Sequence, residues 1–98
     1  MRIEYEDRAL VQLEAIRDWY AEKAGPEAAA NIVRALFDRC DTLVDFPYRG
    51  TPHDDIRAGL RTIPHERRFT IGYRVDGGVV TVLGVTGRGQ LLRVLVSD

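Results

Sequence analysis

The tightest constraint on the fold is the stretch from Gly59 to Gln90, GLRTIPHERRFTIGYRVDGGVVTVLGVTGRGQ, which reads as three short strands in succession. Leu60 to Pro64 is the first, Phe69 to Val75 the second and Val79 to Val85 the third. In the second, Phe69, Ile71, Tyr73 and Val75 alternate with Thr70, Gly72, Arg74 and Asp76. A period of two marks a strand with one packed face and one free face. Asp76-Gly77-Gly78 supplies residues that tolerate positive φ, so a tight hairpin leads into Val79. The third strand is apolar, β-branched and glycine-containing, which suits a central position covered on both sides. Three antiparallel strands in a row form a meander.

Upstream, Arg2 to Tyr5 is a short alternating strand, and Asp7 stands where a helix N-cap is expected. Leu10, Leu13, Ile16 and Tyr20 then recur at helical spacing, with charged residues over much of the remaining surface. Gly25 ends this helix, and Pro26 suits the first position of a second one. The second helix runs from about Glu27 to Asp45 and carries an inner stripe of Ala29, Ile32, Val33, Leu36, Cys40 and Leu43. The two helices are expected to form an antiparallel hairpin across the sheet. Phe46 to His53 reads as a loop, rich in residues that stop a helix. The expected class is therefore α+β in the order β-α-α-β-β-β, with the N-terminal strand and helical hairpin packed on a small antiparallel sheet. All 98 residues form one domain.

Composition narrows the function. Apolar residues at 45% and charged residues at 30% describe a folded globular chain, and no apolar run approaches the ~20 residues of a membrane span. The N-terminus, MRIEYEDRAL, has acids where a signal peptide has its apolar region, so a cytoplasmic location is expected. The single cysteine, Cys40, has no internal disulfide partner and lies in the helix stripe, where it reads as a small core residue. There is no Cys/His cluster, and no metal or cofactor is expected. His53-Asp54-Asp55 and His65 are polar loop and strand-end residues whose spacing does not converge on one atom. Thr86-Gly87-Arg88-Gly89-Gln90 lacks the lysine and following Ser/Thr of a phosphate loop.

The net charge of −1 conceals an asymmetry. Residues 1–55 hold twelve acids and seven Lys or Arg, whereas residues 56–98 hold three acids and seven basic residues, all arginine. Arginine favours forked, directional contacts with carboxylate, phosphate or carbonyl groups. A sequence pI near 6.1 argues against general nucleic-acid binding, so the basic half is either a solvated face or a surface for a specific partner.

Several local patterns in this order resemble the RelE/ParE superfamily of bacterial toxins. They are Ala9-x-x-x-Leu13-x-x-Ile16-x-x-x-Tyr20, Gly25, Leu43-x-x-Phe46-Pro47-x-x-Gly50, Gly59-Leu60-Arg61, Phe69-Thr70-Ile71-x-Tyr73-Arg74-Val75 and Val85-x-Gly87-Arg88. The resemblance covers nearly the whole chain. It implies a toxin of a type II toxin–antitoxin system, bound by a cognate antitoxin whose C-terminal segment wraps it. RelE-like members cut messenger RNA on the ribosome, chemistry that needs basic groups converging on one phosphate and an acid or base near the C-terminus. Arg61 and Arg88 fill two basic places of that pattern. Thr70 falls at a third, Val94 falls at the C-terminal aromatic place, and no Tyr, His or Lys follows Tyr73. The helical hairpin joined at Gly25-Pro26 is more similar to ParE, whose members poison DNA gyrase. The resemblance thus implies a non-enzymatic gyrase inhibitor, with Arg61, Arg68, Arg74 and Arg88 as candidate partner-binding residues. The alternatives are a RelE-like ribonuclease and a non-toxic binding module of the same fold.

Overall fold

A computed structural model describes residues 1–87. Arg88 and the apolar segment at 91–96 lie outside the described residues. The elements are β1 (Arg2–Tyr5), α1 (Asp7–Ala24), α2 (Pro26–Asp45), β2 (Thr51–Pro52), β3 (Arg61–His65), β4 (Phe69–Asp76) and β5 (Val79–Gly87). They form one sheet in the order β1-β5-β4-β3-β2. β3, β4 and β5 are the expected meander, paired antiparallel throughout. β1 instead runs parallel to β5, from Arg2 opposite Val79 to Tyr5 opposite Val82, so the sheet is mixed. The intervening helical hairpin permits this, because a parallel pair needs a long crossover connection. The loop after α2 also contributes β2, which pairs Thr51 with Thr62 and Pro52 with Arg61. Proline has no backbone N–H for a ladder, and accordingly β2 is a two-residue edge strand.

The helical hairpin turns on one residue. Gly25 has φ of 95°, a value that strains any side-chain-bearing residue, and Pro26 opens α2 immediately. The start of α1 differs from the sequence expectation: Glu6 occupies the cap position without a side-chain cap bond, and Asp7 is the first helical residue. Its carboxylate still meets the positive end of the helix dipole. The packed stripe of α1 is Ala9, Leu13, Ile16 and Tyr20, whereas Leu10 is 44% exposed. Alanine at position 9 lets the helix approach the sheet closely, and this rotates Leu10 outward.

Ala9 and Leu13 of α1 and Leu36, Cys40 and Leu43 of α2 pack onto Phe69, Ile71 and Tyr73 of β4 and Val80, Val82 and Val85 of β5. The alternation read in β4 therefore points its apolar residues at the helices. One irregularity breaks the β4–β5 ladder. Tyr73 is opposite Val82 but Gly72 is opposite Gly84, so Leu83 is an extra, bulged residue on β5. No helix among the described residues is long and apolar enough to cross a membrane.

Candidate functional site

A groove of about 610 Å³ lies between the C-terminal half of α1 and the ends of β4 and β5. Its walls are largely apolar: Ile16, Trp19 and Tyr20 from the helix face Phe69 and Val85 from the sheet. Trp19 is 54% exposed, the tryptophan of the chain standing in solvent instead of in the core. Its ring lies edge-on to Tyr20 at 4.8 Å, with the Lys23 ammonium 5.6 Å from its centroid. Tyr20 in turn meets Phe69 edge-on at 6.1 Å. Open apolar surface of this kind beside cationic side chains is a common feature of interaction sites, which makes the groove the candidate site.

Arg68 stands at the mouth of this groove. Its guanidinium carbon is 5.5 Å from the ring centroids of both Tyr20 and Phe69, and its terminal nitrogen is 3.1 Å from a Glu66 carboxylate oxygen. Its closeness to two ring centroids holds the cation at the groove mouth, where a guanidinium suits a carboxylate. The turn that carries it is unusual. Glu66 and Arg67 both have positive φ, 50° and 59°, and Arg68 N–H donates to the His65 carbonyl at 3.1 Å. Such a turn favours Asn-Gly, and its twist suits a β-hairpin.

The other candidate arginines go elsewhere. Arg61 sits opposite Tyr73 on the helix-facing side of the sheet, at its far edge. It donates to the Tyr48 carbonyl at 3.1 Å and the Gly50 carbonyl at 2.9 Å, and its guanidinium lies 5.2 Å from the Tyr48 ring centroid. Gly50 N–H donates to the Tyr73 hydroxyl at 2.9 Å, so Arg61 and Tyr73 together clasp the loop after α2. A Cβ at Gly50 would come within 2.5 Å of that hydroxyl, which is why only glycine fits there. Burial pushes the Tyr73 hydroxyl pKa up, opposed by the Gly50 hydrogen bond and by Arg61 and Arg49. Arg74 alternates to the opposite face of β4 and is 3.5 Å from Glu6, a half-exposed ion pair. Arg61 and Arg74 are thus on opposite faces, only Arg68 lines the groove, and Arg88 lies outside the described residues.

Residues singled out as polar clusters disperse in the same way. His53 Nε2 is 2.9 Å from the Thr62 hydroxyl, while Asp54 accepts from Gly59 N–H at 2.8 Å. His65 is mostly enclosed, stacked 6.4 Å from Phe69. Cys40 is fully buried, and burial lifts its thiol to about 11, far from the reactive range. The buried Tyr5 hydroxyl lies beside it, and its pKa is raised chiefly by burial and then by Cys40.

Trp19, Gln12 and Ala15 of the groove escaped the sequence reading. Trp19 is off the α1 stripe but adjacent to Tyr20, and a solitary aromatic at a solvent-facing helical position was the available signal. Gln12 had no such signal. Its side-chain oxygen accepts the Val85 backbone N–H at 2.7 Å, a long-range contact visible only in the fold.

The comparisons with known proteins agree with this architecture. The family described as "ParE toxin of type II toxin-antitoxin system, parDE" matches residues 3–92. No curated protein matches the sequence. Among solved structures, a chain of the "Chromosomal ParDE TA system from P. aeruginosa" is similar, with a TM-score of 0.79 and 28% identity. The match covers 90% of this chain and 96% of that one. With the family match spanning nearly its whole length, the chain belongs to the ParE toxin family of type II toxin–antitoxin systems.

Proposed function

We propose that this protein is a growth-inhibiting toxin that acts in the cytoplasm by binding DNA gyrase and is neutralised by a cognate antitoxin seated in the Trp19–Phe69 groove. Membership of the ParE family carries the toxin reading. The groove supports the antitoxin site, because its open aromatic wall and the Arg68 cation at its mouth suit an apolar segment bearing an acid. A binding inhibitor is favoured over a ribonuclease by the dispersal of the basic residues. Arg61 is spent on the carbonyls of Tyr48 and Gly50, Arg74 faces away from it beside Glu6, and Thr70 stands at a basic position of the nuclease pattern. Phosphoryl-transfer chemistry needs such groups on one phosphate.

The test is a gyrase supercoiling assay with purified protein, with and without its antitoxin. Inhibition that the antitoxin reverses is expected. A folded, antitoxin-binding protein that leaves supercoiling untouched but cleaves ribosome-bound messenger RNA would overturn the gyrase reading.

A further inference from the structure

The outer edge of β1 carries its own complement. β1 has β5 on one side and no described strand on the other. Arg2 N–H donates to the Gly78 carbonyl at 3.2 Å and Glu6 N–H to the Val82 carbonyl at 3.0 Å, so the even-numbered residues are those whose backbone faces β5. Alternation then turns the Ile3 N–H and C=O and the Tyr5 N–H toward the open edge, where none of them bonds another described residue. The side chains alternate between the two faces of the sheet. Ile3 and Tyr5 pack on the core, while Arg2 and Glu4 stand on the opposite face, 71% and 54% exposed and 3.0 Å apart. Met1, at the start of the same edge, is also half in solvent.

We infer that this edge takes a second copy of the chain, β1 against β1, antiparallel about a two-fold axis at Ile3. The inference is independent of the groove and of the toxin's target. Centred there, the two Ile3 residues exchange both backbone bonds. Arg2 of each copy falls opposite Glu4 of the other, in the non-hydrogen-bonded pairing that brings side chains closest. The charges that pair within one strand thus exchange partners across the axis. Moving the register by two residues sets Glu4 against Glu4 or Arg2 against Arg2, and moving it by one sets Ile3 against a charge, so the charge order admits one alignment. Charges on an edge strand ordinarily repel stray strands, whereas the order Arg2-Ile3-Glu4 is complementary to itself when reversed. Met1 comes opposite Tyr5 of the second copy. A two-fold contact is closed, so association stops at a dimer that joins two five-stranded sheets. β1 is only four residues long, which makes the contact small and of low affinity.

The experiment is sedimentation equilibrium of the untagged full chain alone, from about 1 to 300 μM. A monomer–dimer equilibrium with a Kd of about 10–100 μM is expected. Arg2→Glu and Glu4→Arg each set like charges across the axis twice, and each should weaken the dimer about tenfold. An equimolar mixture of the two variants should recover it as a heterodimer, because one strand then presents two acids and the other two bases. The double variant Arg2→Glu/Glu4→Arg should dimerise as the native chain does. Both side chains are largely exposed, so circular dichroism should show the native fold in every variant. On the native chain, hydrogen exchange at the Ile3 amide should slow as concentration rises, while the Glu4 amide, which faces β5, should be indifferent. A chain monomeric throughout, self-association that ignores the single reversals, a mixture no tighter than its components, or an Ile3 amide insensitive to concentration would each overturn the proposal. So would single reversals that change only antitoxin affinity, since the edge would then belong to the antitoxin.

Discussion

Single residues in this protein divide sharply between holding the fold and facing a partner, and Cys40 illustrates the first kind. It lies fully buried on the inner face of α2 beside Tyr5, and desolvation lifts its thiol from 9.0 to about 11. A raised pKa in the fold means that stability is complete below pH 9 and is lost as pH climbs toward 11, because the unfolded chain ionises first. The two units correspond to a loss of about 2–3 kcal/mol over that window. Tyr5 and Tyr73, also raised, add loss in the same direction above pH 10. Urea midpoints measured from pH 7 to 11 should fall steeply above pH 9 in the native sequence and more gently in Cys40→Ala, which is less stable at neutral pH by its small cavity. Parallel curves would show that the thiol is not the titrating group. Arg61 belongs to the same structural class through its clasp on Tyr48 and Gly50, whereas Arg68 faces the groove.

At the scale of elements, the turn between β3 and β4 is the point where local preference and observed geometry conflict. Glu66 and Arg67 both hold positive φ, a conformation unfavourable for side-chain-bearing residues by about 1 kcal/mol or more each. Replacing them with Asn and Gly should stabilise the protein by about 1–2 kcal/mol and raise Tm by roughly 4–8 °C per kcal/mol, read by thermal unfolding. The lost Glu66–Arg68 pair is largely exposed and offsets little of this. An unchanged or lower Tm would mean that the turn is not strained. The meander, the Gly25-Pro26 joint and the packed face of β4 were legible in the sequence because each rests on a local rule: period two, positive φ, or a missing N–H. The parallel seat of β1 and the two-residue β2 were not, since strand pairing across a helical hairpin depends on contacts distant in sequence. Leu10 was misread for a related reason: helical spacing admits two neighbouring stripes, and the small Ala9 decides which one packs.

At the scale of the whole molecule, distant elements meet at an open flank among the described residues. Its groove draws Gln12, Trp19 and Tyr20 from α1, Arg68 and Phe69 from the β3–β4 hairpin, and Val85 from β5. No local pattern joins these residues, so of the site only Arg68 was marked by the sequence, through the arginine-rich half of the chain. Arg61 and Arg74 serve other surfaces because strand alternation sends them to opposite faces. Trp19 makes the central claim directly measurable, being the only tryptophan and half in solvent. Its emission should be recorded as purified cognate antitoxin is added to the toxin. If the antitoxin fills the groove, emission shifts to shorter wavelength and iodide quenching falls as the ring leaves water. A tight toxin–antitoxin complex in which Trp19 emission and quenching stay unchanged would place the antitoxin elsewhere and contradict this account.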